Sequence, residues 1–345
     1  MNSNRLPQQP HISIVTFFIT GATGFLGSWT VRTLLDQGHR VRAIRRPSSS
    51  LDLLEDVASS VEWIEGDVHD PEALEQGMEG VDGVIHAAAY LGFEGQRSQE
   101  RLMDVNVGGT AMVVDAALRC SVPRMVHVSS IAALGRTEDM QNCLDESAEW
   151  RDSPMNTGYA ISKYRAELEV QRGVAMGLDA VMVNPSIIMG VGRLSENTMQ
   201  IADRIARRNL PFRPKGGTNV VDVRDVASGI VNAFQSGKTG QRYILAGHNM
   251  SWEDILETMG SALGTIPPRR TLPRPVMMSV AGVMEFGAFL FRLPAVITRE
   301  NVRLSMSVSC YDNSRSRSEL GMSYRPFSET AHWISEGYRS LRAEV

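Results

Sequence analysis

The chain is short of cysteine, lysine and aromatic residues, and each shortage removes a class of protein. Its three cysteines, Cys120, Cys143 and Cys310, lie far apart in 345 residues with no C-x-x-C pair. That excludes a disulfide-dense scaffold and a thiolate zinc site, and it fits free thiols in a reducing cytoplasm. The seven histidines, His86 and His127 among them, show no spacing at which two could ligate one metal, so no metal site is expected. Lysine occurs only at positions 163, 215 and 238, aromatics make up 6%, and the net charge is −4 with no run of five like charges. Neither the basic stripe nor the stacking platform of a nucleic-acid binder is therefore present.

Long apolar runs are also lacking. The nearest approach, Val276 to Leu293, is interrupted by Glu285 and Arg292 and bracketed by prolines, short of the roughly 20 apolar residues a membrane span needs. It reads as a packed helix of a later domain, with contact at a membrane surface as the alternative. The first residues, Met1 to Pro10, are polar and hold no apolar stretch of the signal-peptide kind, and residues 1–11 are read as a disordered tail.

What the chain does have is alternation. Short β-rich runs at Ile14 to Ile19, Arg40 to Arg45, Val61 to Ile64, Gly83 to Ala87, Arg124 to Val128 and Ala180 to Val183 are separated by helical patterns. The helices are expected from Gly24 to about Gln37, from about Glu100 to Arg119 and from Tyr159 to about Ala175. Strands alternating with helices imply an α/β fold with a doubly wound parallel sheet. The first run leads straight into Gly21-Ala22-Thr23-Gly24-Phe25-Leu26-Gly27. Such a turn lets backbone N–H groups and a helix N-terminus meet a dinucleotide pyrophosphate, so Gly21, Thr23, Gly24, Phe25, Leu26 and Gly27 are candidate cofactor-binding residues. Gly21 permits the tight turn, Gly24 the approach to phosphate and Gly27 close packing of helix on sheet.

The second informative feature is Tyr159-Ala160-Ile161-Ser162-Lys163, which sets a phenol and an ammonium one helical turn apart. With so few lysines, a Tyr–Lys pair at this spacing is unexpected by chance. A phenol with an ordinary pKa near ~10 exchanges protons poorly at neutrality, and a neighbouring ammonium would favour the phenolate. Tyr159 is the candidate acid/base and Lys163 its activator. Ser130 closes the predicted strand Val126-His127-Val128-Ser129, at the edge where doubly wound sheets place their chemistry; its hydroxyl is the candidate oxyanion partner. After the second strand come Arg45 and Arg46, with no carboxylate until Asp52. An acidic residue there would bind a ribose diol, whereas arginine suits a 2′-phosphate, so NADP(H) is expected over NAD(H).

The G-x-x-G-x-x-G spacing, together with Tyr159 and Lys163, resembles the extended short-chain dehydrogenase/reductase family, also called the NAD-dependent epimerase/dehydratase superfamily. The likeness leans toward its dihydroflavonol-reductase-like and 3β-hydroxysteroid-dehydrogenase-like branch. The resemblance implies a Rossmann domain over 12–185, rejoined by 222–247, and a smaller, partly interleaved substrate domain over 186–221 and 248–345. It implies that Lys163 also bonds the nicotinamide ribose, that Asn106 organises a proton-relay water, and that Ser130 rather than Ser129 acts. It assigns Asp67 and Val68 to the adenine, Ala87 and Ala88 to the cofactor backbone, and Pro185 and Ile187 to the nicotinamide.

The implied activity is carbonyl–alcohol interconversion on a small, hydrophobic substrate in the cytoplasm, and family members often form homodimers. Two alternatives stand beside it, a nucleotide-sugar 4-epimerase and a non-catalytic NADP-binding protein. A 4,6-dehydratase is excluded because Ser130 is followed by Ile131-Ala132-Ala133-Leu134, with no acid or base. The epimerase loses support at Thr218-Asn219, where nucleotide-sugar members carry an arginine for the diphosphate, although Arg213 and Lys215 stand nearby.

Overall fold

The computed structural model describes residues 14–92, 95–135, 143–153, 156–210, 212–291 and 299–343. The tail expected over 1–11 lies outside them. In chain order the elements are β1 (Thr16–Thr20), α1 (Phe25–Asp36), β2 (Arg40–Arg45), β3 (Val61–Glu65), α2 (Pro71–Met78), β4 (Gly83–His86), α3 (Gly95–Leu102), α4 (Gly109–Arg119), β5 (Met125–Val128), α5 (Gly158–Ala175) and β6 (Ala180–Pro185). There follow β7 (Ile187–Met189), α6 (Asn197–Ala206), β8 (Gly217–Asp222), α7 (Val223–Ser236), β9 (Arg242–Leu245), β10 (His248–Ser251), α8 (Trp252–Leu263), α9 (Arg274–Phe291), α10 (Arg299–Met306), α11 (Ser314–Leu320) and α12 (Phe327–Ala343).

Seven strands form one parallel sheet in the order β3-β2-β1-β4-β5-β6-β9. The order reverses between β1 and β4, which opens the crevice in which doubly wound sheets take ligands. Side chains along a strand alternate between faces. Phe17 and Ile19 accordingly enter an apolar core with Val31 and Leu34 of α1 and Val226 and Ile230 of α7. Phe18 enters the opposite core with Leu74 of α2, Val113 of α4 and Val170 of α5. A three-stranded sheet, β10-β8-β7, packs with α6, α8 and α12 around Met189, Met199, Ile255, Met259 and Ile334.

Three expectations are corrected. The helix expected from Glu100 to Arg119 is interrupted by a π-helical turn at Met103–Gly108. There the Asn106 side chain bonds the backbone of Tyr90, and a Cβ on Gly109 would come within 2.7 Å of Val68. The segment expected to be a packed helix forms α9, but its main neighbour is α10 and valines on it stay exposed; residues 292–293 lie outside the described set. Among the described residues no helix is long and apolar enough to cross a membrane.

The expected free thiols are the third correction, because Cys143 and Cys310 are joined in a disulfide with Cα atoms 4.5 Å apart, leaving Cys120 free. Backbone bonds from Leu144 N to Cys310 O and from Asp312 N to Leu144 O, both 2.9 Å, align the two segments beside it. A separation of 167 residues hid the pair from spacing arguments. Closing so long a loop restricts the unfolded chain. Reduction is therefore expected to lower stability by about 2–4 kcal/mol, read as a drop in the urea midpoint with dithiothreitol. Thiol titration of the denatured, unreduced protein should find Cys120 alone.

Candidate active site at the carboxyl edge of the sheet

The glycine-rich turn is built as a cradle. Gly21 has φ +76°, and a Cβ there would lie 2.6 Å from Ala88 N. A Cβ on Gly27 would collide with Gly21 O, so bare backbone is required at both places. Helix α1 then starts after Gly24 with no side-chain cap and no acidic residue in its first turn. Its first N–H groups, with those of Thr23, Phe25 and Leu26, are left for an anion. The residues present thus fit a dinucleotide pyrophosphate. Ala87 and Ala88 face the turn, tied to it by Ala87 N to Thr20 O at 3.1 Å and Ala88 N to Thr20 Oγ1 at 3.2 Å.

On the adenosine side of the turn, Arg45 stacks over Trp63 at 5.8 Å and Arg46 is exposed. Asp67 is exposed and accepts from His69 N at 2.8 Å, while Val68 is buried. Sequence reasoning missed Arg193, which comes from the second half of the chain. It pairs with Asp52 at 2.5 Å and reaches Thr23 O at 3.3 Å. This guanidinium holds the Asp52 carboxyl down at about 2.

On the other side stand the candidate catalytic groups. Thr157 caps α5, its hydroxyl accepting from Ala160 N at 3.0 Å, which sets Tyr159 in the first turn and Lys163 one turn on. Ser130 follows β5 and its Oγ accepts from Ala132 N at 3.2 Å. Its one proton is then free to turn toward the crevice, where Ser130 lowers the pKa of the neighbouring Tyr159 phenol. Ser129 is buried instead, so geometry favours Ser130. Pro185 ends β6, and Ile187 begins β7 half-exposed.

The electrostatics differ from expectation. Burial pushes the Tyr159 phenol up, opposed by the neighbouring Ser130 hydroxyl. Lys163 does not pull it down here, because its Nζ donates to Val128 O at 2.8 Å. Burial lowers Lys163 to about 8, against the favourable field of Glu167. That carboxylate is itself buried, ion-paired with Arg242 at 2.8 Å and accepting from Asn184 Nδ2 at 2.6 Å. Asn184 also donates to Ser130 O at 2.9 Å, so the buried pair holds the serine segment. Neither Glu167 nor Arg242 carries a sequence signal.

Asn106 is brought under the same helix. Its Oδ1 accepts from Tyr90 N at 2.7 Å and its Nδ2 donates to Tyr90 O and Ser162 Oγ, both 2.9 Å, so the side chain ties the Tyr90 backbone to α5. Beside it runs a chain whose proton order can be assigned from donor counts. Thr110 Oγ1 donates to Asn106 O at 2.6 Å and so accepts from His86 Nε2 at 2.9 Å. His86 Nδ1 then accepts from Thr20 Oγ1 at 2.7 Å. Burial lowers His86 to about 3, with Lys163 adding to the effect. His127 stacks obliquely on it, ring centroids 5.2 Å apart, with both nitrogens buried and unbonded among the described residues. Burial, then Lys163 and His86, holds it well below its ordinary value.

A glycine cradle at the switch point and a Ser–Tyr–Lys group across the crevice define a dinucleotide-dependent oxidoreductase. The profile of the NAD dependent epimerase/dehydratase family matches residues 17–246, and the chain belongs to that family. It is 37% identical over 333 residues to the "Putative dihydroflavonol 4-reductase" of Synechocystis sp., covering 93% of this chain and 95% of that one. It is 33% identical to "Sterol demethylase protein B" of Methylococcus capsulatus, covering 93% and 99%. The crystal structure of gox2253 superposes with a TM-score of 0.82 at 33% identity, covering 94% of this chain and 98% of that one. The protein is an NAD(P)-dependent enzyme of the extended short-chain dehydrogenase/reductase type.

The two buried histidines make stability pH-dependent with a definite sign. Their folded pKa values lie below 6.5, so between 6.5 and about 3 the unfolded chain binds more protons and stability falls as pH falls. Because His127 makes no hydrogen bond among the described residues, His127→Phe is expected to be tolerated at pH 7.5 and to flatten the dependence of the urea midpoint between pH 6.5 and 4.5. An unchanged slope in that variant would contradict the assignment.

Proposed function

We propose that the protein is an NADPH-dependent reductase of a hydrophobic ketone or aldehyde. The observation that carries this is the grouping of Ser130, Tyr159 and buried Lys163, whose Nζ donates to Val128 O, at the strand ends that face the glycine cradle. A bound nicotinamide cofactor supplies the hydride. Ser130 donates a hydrogen bond to the carbonyl oxygen and stabilises the charge that develops on it. Tyr159, kept protonated by burial, gives its phenolic proton to that oxygen. Lys163 holds positive charge near the phenol and is the candidate partner of the ribose. The cradle residues from Gly21 to Gly27, with Asp67, Val68, Ala87, Ala88 and Pro185, are the candidate cofactor contacts.

Two findings support NADPH and an apolar substrate. Asp52, the first carboxylate after β2, is committed to Arg193, so its charge does not oppose a 2′-phosphate near Arg45 and Arg46. Leu91 and Ile187 leave apolar surface exposed after β4 and β6, next to the strand ends. A nucleotide diphosphate finds less support. Arg213 is paired with Glu253, and Asn219 is buried in bonds to Ser186 and Asn249.

Purified protein is expected to bind NADPH more tightly than NADH and to consume it stoichiometrically with members of a hydrophobic ketone and aldehyde panel. Arg46→Asp should weaken NADPH binding about tenfold with little change for NADH. Equal starting affinities would overturn the cofactor reading. Tyr159→Phe should keep NADPH affinity within about threefold yet lower kcat by ~10²–10³. Loss of the Lys163 charge above about pH 8 should bring a falling limb in the rate. Near-stoichiometric NAD⁺ in the purified protein, with C4 inversion of a nucleotide sugar, would favour the epimerase instead.

A further inference from the structure

Helix α9 presents a surface that the site does not use. It is 18 residues long, from Arg274 to Phe291, and carries Glu285 within it, so it lacks the uninterrupted apolar length of a span. Val276, Val280 and Val283 recur at the spacing of one helical face. They are 45%, 38% and 73% exposed, with Ile266 just upstream at 67%. Ala281, turned toward the opposite side, is fully buried. An open groove between α9 and α10 continues the apolar surface and is lined by Met278, Ser279, Gly282, Val283 and Arg299.

Charge says what this face meets. Arg269, Arg270 and Arg274 lead into the helix and are all exposed. None is paired with a described carboxylate, and Glu253 and Glu285 nearby are engaged by Arg213 and Arg299. Three unneutralised guanidiniums within seven residues of Val276, on a protein of net charge −4, put positive charge at the N-terminal end of the apolar stripe. That combination fits a helix lying in a headgroup region, valines toward the acyl chains and arginines at lipid phosphates. A second copy of this chain fits less well, since a two-fold contact would bring the same arginines together.

We infer that α9 and the arginine-bearing loop before it dock the enzyme on an anionic lipid bilayer. None of the residues on this surface is among those named at the Ser130–Tyr159 site, and the inference does not depend on the proposed reaction. In the test, full-length protein is sedimented with vesicles of phosphatidylcholine alone or mixed with phosphatidylglycerol. It should pellet with the mixed vesicles only, and release when salt is raised to about 0.5 M. The triple variant R269S/R270S/R274S should bind roughly a hundredfold more weakly. V276E/V280E/V283E should also lose binding, while both variants keep wild-type NADPH affinity and Tm. Because all six positions are exposed, folding should survive, and either variant suffices if the other does not. Failure of the wild type to pellet, or binding unchanged in both variants, overturns the inference. A wild-type dimer that V276E/V280E/V283E converts to monomer, without vesicle binding, would assign the face to self-association and overturn it equally.

Discussion

The seam where β1 and β4 end side by side constrains everything at the site. Thr20 pairs in register with His86, and the next residue, Gly21, turns with its Cα pressed against the Ala87–Ala88 backbone. No side chain fits at that contact. The hydrogen-bond chain from Ala88 through Thr20, His86 and Thr110 to Asn106 then fastens the phosphate cradle to the π-helical turn. From there Asn106 reaches Ser162 on the helix that carries Tyr159 and Lys163. Cofactor cradle and catalytic helix therefore sit in a fixed relation through one buried, fully ordered path. Such a path is costly wherever it is only partly satisfied.

Burial also sets the proton chemistry. Lys163 is 2% exposed yet lies one helical turn from a buried carboxylate, Glu167, whose own charge is met by Arg242. A buried ion pair gives weak evidence for stability, and here its visible use is positional. Through Asn184 it fixes the carbonyl of Ser130. Tyr159 and Lys163 are shifted in opposite directions by the same desolvation. A neutral phenol and a cation with pKa near 8 coexist at neutrality, which suits a group that must deliver a proton.

The later half of the chain closes on this core through several unrelated contacts. Trp29 of α1 packs edge-on to Trp333 of α12 with centroids 5.0 Å apart, and its indole donates to Val191 O at 3.0 Å. Arg193 bridges to Asp52 and the cradle. Ser186, Asn219, Asn249 and Tyr311 form a polar run from the end of β6 to the segment near Cys310. The wall opposite the cradle is thereby tied to residues more than a hundred positions away. Among the described residues none of these contacts involves α9.

Alternating strands and helices, the glycine turn and the Tyr–Lys spacing were legible without coordinates, because each is written in neighbouring residues whose geometry follows from backbone sterics and helical period. The position of Ser130 was legible for the same reason, two residues past the end of a strand. Glu167 with Arg242, Asp52 with Arg193, the Thr20–His86–Thr110 path and the Cys143–Cys310 pair were not. Each joins residues far apart in sequence, by contacts that exist only once the sheet order is set. The same limit applies to what each side chain meets. Whether Lys163 reaches the phenol, whether Asn106 is free to hold water and whether α9 is covered all depend on what stands opposite each side chain. Local sequence therefore determined the secondary structure and the chemistry on offer, while tertiary packing decided which groups meet and how burial shifts their protons.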